Sequence, residues 1–334
     1  MSGTHLTGLE GTNPLGFLAA LGVQVVFARE SEPPRLWWSD DVTPHAVVDG
    51  DCTIDRIADR ALDVFDKLAG GPALAPDIPK VDEINLKESV QEKYRKQKID
   101  ELKLLPSDIK AYLEQARKDC FGGALSTSLV TEGSLADWID KGKAVKYRNG
   151  NPARVAKPSD LYFTAGNQKF LETARRVLDG VSREDVLVGL EGPWKYASPL
   201  PSLMWDVTDD RVYALRAYDP GPEKKLTNPG SEALAILGLS LHPVFAGRDR
   251  TLTQGCSGTW KAGFYSWPLW RKPARPHAVK SLLAHASHHD PTTTDRHRWF
   301  RSWGVALVFR SPIHRSGQGG YGTFGPPEVV WQAG

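Results

Sequence analysis

Cysteine is scarce in this chain. There are three in 334 residues, Cys52, Cys120 and Cys256, far apart and without a CxxC spacing. An odd, scattered set excludes a disulfide framework and a cysteine-based zinc site, and it predicts a reducing, cytoplasmic setting. Long apolar runs are also missing. The best candidate, Leu15 to Phe27, is interrupted by Gly22 and Gln24 and is too short to span a bilayer. The opening Met1-Ser2-Gly3-Thr4-His5 has neither a basic n-region nor an apolar h-region, so neither a signal peptide nor a membrane segment is expected. No Gly-Lys-Ser/Thr occurs and no glycine-framed serine elbow, which excludes the commonest ATP-motor and serine-nucleophile frames. An excess of one charge is absent too: 42 basic residues face 40 acidic ones, for a net charge of +2. The surface as a whole is therefore not basic, and any nucleic-acid site has to be a local patch.

Tryptophan is plentiful, at 11 residues against two methionines. Most of these rings are expected in the core. With 40% apolar and 25% charged residues, the chain can bury one large core or two modest ones. Its patterning predicts an α+β protein, with mixed helices and short antiparallel sheets arranged as two lobes in one compact unit. Residues 1–158 form a helix-rich lobe with a basic loop, and residues 159–334 form an α+β lobe.

Local signals set the elements. Thr12 or Asn13 caps a first helix with Pro14 in its first turn, and small residues at Gly16, Ala19 and Ala20 permit a close neighbour. Strands are predicted at Leu36-Trp37-Trp38-Ser39 and His45-Ala46-Val47-Val48. Ile54, Ile57, Ala58, Ala61, Leu62, Phe65 and Leu68 keep helical spacing up to Gly70-Gly71-Pro72. Ser107 is expected to cap a helix containing Ile109, Tyr112, Leu113 and Ala116. Glycines at 122, 123, 142 and 150 predict loops from Phe121 to Pro158. A helix follows from Asn167 to Gly180, and Ser182-Arg183-Glu184-Asp185 reads as a capping box. Leu203, Trp205 and Val207 alternate into a predicted hairpin turned at Thr208-Asp209-Asp210. A small-residue helix follows Pro229, and strands are expected at Gly304–Phe309 and Glu328–Trp331. No internal repeat is read.

Three regions carry candidate chemistry. Lys141, Lys143, Lys146, Arg148, Arg154 and Lys157 accumulate with few acids, as a phosphate-contacting arm requires. Free N–H groups near Gln168 and Lys169 suit a phosphate at a helix start. The third is the block from Gly192 to Arg216, where Trp194 and Tyr196 stand beside basic residues. Rings that stack on bases, with guanidinium groups that neutralise phosphate, suit a polyanionic strand. The expected backbone contacts are Lys146, Arg148, Arg154, Lys157, Gln168 and Lys169. Arg211, Arg216 and Arg271 are secondary contacts, and Trp194 and Tyr196 are stacking rings. The glycine-rich loop from Arg315 to Gly325 is a weaker phosphate cradle. No cofactor is expected.

The segments Asn13-Pro14-Leu15-Gly16-Phe17-Leu18-Ala19-Ala20-Leu21-Gly22 and Phe163-Thr164-Ala165-Gly166-Asn167-Gln168-Lys169-Phe170 are similar to parts of a CRISPR effector family. So are the aromatic block and, more weakly, Gly230-Ser231-Glu232-Ala233-Leu234-Ala235 with His242-Pro243-Val244-Phe245. The chain resembles the large-subunit-like proteins of type I-U, also called type I-G, systems. That resemblance implies a non-catalytic component of an RNA-guided surveillance complex. Such a subunit recognises the protospacer-adjacent motif, helps open the duplex and holds DNA while a separate helicase-nuclease cuts. The implied partners are other effector subunits with guide RNA, target DNA and the helicase-nuclease.

Two other readings stay open. His285, His288, His289, Asp290, Asp295 and His297 are possible metal ligands, and Asp206, Asp209, Asp210, Asp219, Glu223 and Lys225 could hold Mg²⁺; either set would make a metal-dependent nuclease. Turn chemistry is the preferred account of the acids at 209, 210 and 219. A scaffold that contacts only neighbouring subunits or recruits the helicase-nuclease is the other reading.

Overall fold

The computed structural model describes residues 3–49, 52–78, 88–89, 99–140, 142–164, 168–207, 227–248, 251–286, 294–315 and 321–334, without the side chains of 286 and 294–297. The fold is α+β, with helices packed against short antiparallel sheets.

Two helices form the centre, α1 (Pro14–Val26) and α7 (Pro229–Leu239), and every residue of both is buried. Each starts at a Thr-Asn-Pro. Asn13 accepts from the Leu15 N–H and Asn228 from the Ser231 N–H, while the following proline takes the first helical position, where no N–H is needed. The helices cross at two glycines. A Cβ on Gly22 would sit 1.9 Å from the Leu234 carbonyl oxygen, and one on Gly238 would sit 1.9 Å from that of Leu18. Only hydrogen fits at either place. The reciprocal contact and the shared start form an internal correspondence that the sequence reading missed.

A three-stranded sheet flanks this pair, in the order β1 (Thr4–Glu10), β3 (His45–Val48), β2 (Leu36–Trp38). A two-stranded ribbon pairs β8 (Val244–Ala246) with β9 (Thr251–Thr253). The larger sheet runs β10 (Cys256–Gly258), β11 (Gly263–Trp270), β12 (Val305–Arg315), β13 (Gly322–Phe324), with β14 (Glu328–Gln332) also on β12. On β11, Tyr265, Trp267 and Leu269 point inward at period two, and a register shift between Leu269 and Trp270 turns the next ring inward as well. The indoles tie the sheets together: Trp267 Nε1 donates to the Gly11 carbonyl at 2.8 Å and Trp270 Nε1 to the Leu36 carbonyl at 2.6 Å. One hydrophobic core contains residues from both sides of position 158, from Leu6 to Trp331.

The remaining helices are α2 (Ile54–Ala69), α3 (Pro106–Ala116), α4 (Cys120–Leu129), α5 (Phe170–Gly180), α6 (Arg183–Glu191), α8 (Pro276–Ala286) and α9 (Thr294–Ser302). The Ser182–Asp185 capping box is formed. Several expectations are corrected. Ser107 lies inside α3, whose N-cap is Leu105 with Pro106 following, because proline takes the first helical position and the cap falls two residues before Ser107. Gly122 and Gly123 do not break the chain but sit in α4, where a Cβ on Gly122 would approach Ala73 Cβ to 3.0 Å. The first arm of the proposed hairpin is not a strand. Leu203, Met204, Trp205 and Asp206 are all buried, so their alternation is not a two-faced one. Its turn and return arm lie outside the described residues. The helix expected from Asn167 begins at Phe170; Asn167 is outside the described residues.

Among the described residues, no helix is long and apolar enough to cross a membrane.

Candidate nucleic-acid interface

The basic stretch forms a nested hairpin. β4 (Leu135–Asp137) pairs with β7 (Arg154–Ala156), and inside them β5 (Ile139–Asp140) pairs with β6 (Lys143–Ala144). Trp138, with Ala153, Val155 and Leu105, makes a small core of its own beneath the hairpin. At the tip, Gly150 has φ +87°, a left-handed turn, and the Asn149 side chain accepts from the Asn151 N–H at 3.0 Å. Lys146 and Arg148 ride this tip, exposed and without an ion pair among the described residues. Arg154 is tied to its own ladder: it donates to the Leu135 carbonyl at 3.1 Å and lies 3.9 Å from the Asp137 carboxylate.

At the base of the hairpin is a pocket of 320 Å³ lined by Trp138, Ile139, Lys157, Tyr162, Gln168 and Trp260, among others. Two of the predicted contacts, Lys157 and Gln168, thus meet at one place although 11 positions separate them. Glu101 and Lys103 also line it and pair with each other at 2.7 Å, so they add little net charge. The Tyr162 phenol donates to the Glu101 carbonyl at 3.0 Å, and burial raises its pKa so that it stays protonated.

Trp260 stands on the turn between β10 and β11 with 43% of its surface exposed. The guanidinium of Arg315, at the end of β12, lies 3.5 Å from its ring centroid and 5.4 Å from that of Phe163. Arg315 also donates to the carbonyls of Tyr162, at 3.0 Å, and Asp160, at 2.5 Å. Burial pushes it down to about 10, opposed by Asp160, so it remains charged at neutral pH. A flat ring backed by a fixed cation, with an ammonium and an amide alongside, can stack a base and meet a phosphate. Both residues were missed as a pair by sequence reading, which placed Arg315 with the glycine loop; 55 positions separate them. Residues 316–320 of that loop lie outside the described residues.

The other predicted residues do not line this pocket. Lys169 caps α5 and lies 3.7 Å from Glu172. Trp194 is half-buried and donates from Nε1 to the Gly189 carbonyl at 3.1 Å; its ring meets Tyr196 edge-on. The Tyr196 hydroxyl donates to Asp206 Oδ2 at 2.7 Å, and Asn13 donates to Asp206 Oδ1 at 2.9 Å, so this part of the aromatic block fastens the start of α1. Arg271 pairs with Asp40 at 2.7 Å. Arg211 and Arg216 lie outside the described residues, as do Lys141, Asp209, Asp210, Asp219, Glu223 and Lys225.

Of the histidine cluster, His285 sits on α8 with its ring centroid 5.5 Å from Trp299 and 5.0 Å from Trp303. His288, His289 and Asp290 are outside the described residues, and the side chains of Asp295 and His297 are too. Among the described residues, no three metal-binding side chains gather. No family model and no curated protein sequence matches this chain.

Proposed function

We propose that the chain is a nucleic-acid-binding, non-catalytic subunit of a type I CRISPR surveillance complex, in the large-subunit-like role of recognising a protospacer-adjacent motif and holding target DNA. The observation that carries the reading is the pocket under the basic hairpin. Trp260 and Arg315 offer a stacking platform there, Lys157 and Gln168 offer polar contacts, and Lys146 and Arg148 project from the hairpin tip without an ion pair among the described residues. In an RNA-guided assembly the guide supplies sequence specificity by base pairing. The protein then needs a backbone grip and a few base contacts rather than a long reading helix. A near-neutral chain with local cations fits that division, since its remaining surface is free to meet partner subunits.

Tagged chain co-expressed with its neighbouring genes tests the assignment. RNA derived from CRISPR repeats should co-purify. The triple variant Lys146→Ala, Arg148→Ala, Lys157→Ala should keep that RNA, bind target DNA more weakly, and show a shallower dependence on salt. Purification free of guide RNA would refute the assignment.

A further inference from the structure

The charge balance of the whole chain conceals a strong polarity. From Arg250 to Pro327 there are 11 lysines and arginines and only two acids, Asp290 and Asp295. The rest of the chain carries the compensating acidic excess. This basic segment comprises most of the large sheet with α8 and α9.

Two of its cations, Lys272 and Arg275, meet just past the end of β11. A concavity of 430 Å³ is floored by the buried Trp270 and Leu282 and walled by Lys272, Arg275, His277 and Trp303. Among the described residues, no acidic side chain lines it. Gly304 has φ +74°, and the stem of Lys272 lies across it, 3.3 Å from where a Cβ would stand; Lys272 and Trp303 line the same concavity. Lys272 and Arg275 are exposed and form no ion pair among the described residues. The ring surface extends past the concavity, because Trp303 is 38% exposed, Trp299 is 53% exposed, and His285 packs between them. Lys280, Arg298 and Arg301 lie exposed on the same two helices, again without ion pairs among the described residues.

We infer that this concavity is a second binding site, separate from the hairpin pocket, for a single-stranded nucleic acid: a base stacks on Trp303 while Lys272, Arg275 and His277 take the adjoining phosphates. Two observations select a nucleic acid over an acidic protein segment. The cations are interleaved with open indole faces, which a base fills and an acidic side chain does not. The ring surface also runs on from Trp303 through His285 to the exposed Trp299, a length that suits successive bases of a strand. The inference goes beyond the proposed CRISPR role and stands without it, since it needs neither a guide nor partner subunits.

The test uses the full chain alone and a fluorescent oligothymidylate, with anisotropy read across a salt series. Wild-type protein should bind it. Lys272→Ala with Arg275→Ala should flatten the slope of log affinity against log salt by about 1.4, at about 0.7 per cation on single strands. Trp303→Ala should weaken binding about tenfold with the slope retained, and Trp303→Phe should recover most of the loss. Triple replacement at Lys146, Arg148 and Lys157 should leave this Trp303 effect intact, which separates the two sites. No binding by the wild type, or full binding by Trp303→Ala, overturns the inference. So does polyglutamate competing as well as the oligonucleotide at equal charge, which would assign the surface to an acidic protein partner. Loss of guide RNA from the assembled complex would bear on the CRISPR role and not on this site.

Discussion

Arg315 sits against the face of Trp260, with its guanidinium carbon 3.5 Å from the ring centroid, and the same guanidinium holds the carbonyls of Asp160 and Tyr162. One side chain thus anchors the chain leading into the pocket and polarises the ring above it. The two roles separate by mutation. Trp260→Ala should leave stability within about 0.5 kcal/mol, as exposed substitutions do, and weaken single-strand binding about tenfold. Arg315→Ala should also cost about 2 kcal/mol of stability, because it leaves part-buried carbonyls without their donor. Urea unfolding beside anisotropy measures both.

The Gly22–Gly238 crossing should be the least tolerant place in the fold. Ala at either position puts a methyl 1.9 Å from a carbonyl oxygen of the facing helix, and backbone cannot step aside as a side chain can. Each single variant should lose about 3 kcal/mol, at the upper end of overpacking costs. The double variant should lose less than the sum, since one displacement of the helices relieves both clashes. Midpoints of urea denaturation check the values and their coupling.

Glu232 is fully buried and accepts from the Ser202 hydroxyl at 2.6 Å, the Leu203 N–H at 3.2 Å and the Thr227 hydroxyl at 3.3 Å, among other contacts. It fastens the 198–207 segment to α7. Glu232→Ala should cost about 3 kcal/mol by stranding those donors, and Glu232→Gln less, because one amide oxygen remains to accept. Limited proteolysis should show cleavage near residues 198–207 in the Ala variant first.

A pH response follows from His242. Its ring is buried, 2.9 Å from the Tyr265 hydroxyl at Nε2, and burial pushes its pKa down to about 4, opposed in part by the Gly238 backbone. The unfolded imidazole takes up a proton near pH 6.5, whereas the folded one does so only near 4. The unfolded state therefore binds more protons across that window, and stability falls as pH drops through it. The full loss is about 3 kcal/mol, and stability above pH 7 owes nothing to this group. His242→Gln should flatten the decline in urea midpoints between pH 6.5 and 4; an unchanged profile would assign the acid sensitivity elsewhere.

Elements with strong local signals were legible in the sequence. Asn13-Pro14 announces α1, Ile54 to Leu68 announces α2, and Ser182 with Asp185 announces α6, because caps and 3.6-residue spacing act within a few residues. The α4 helix was not legible, since Gly122 and Gly123 read as breakers until Ala73 and Ala116 stand against them. The site divides in the same way. Lys157 and Gln168 could be proposed from local charge and helix position, but the Trp260–Arg315 pair depends on how β12 returns past the β10–β11 turn. Trp194 and Tyr196 are stacking candidates in the sequence, yet their polar ends are taken by Gly189 and Asp206. The basic polarity after Arg250 was available from composition alone, and the balanced total hid it.

The most direct measurement is ultraviolet cross-linking of the guide-loaded complex to its target DNA, with the modified peptides of this chain identified by mass spectrometry. The account predicts a DNA adduct on the β10–β11 turn at Trp260, lost in Trp260→Ala. Cross-linking confined to other subunits, with this chain unmodified, would contradict it and leave a scaffold in its place.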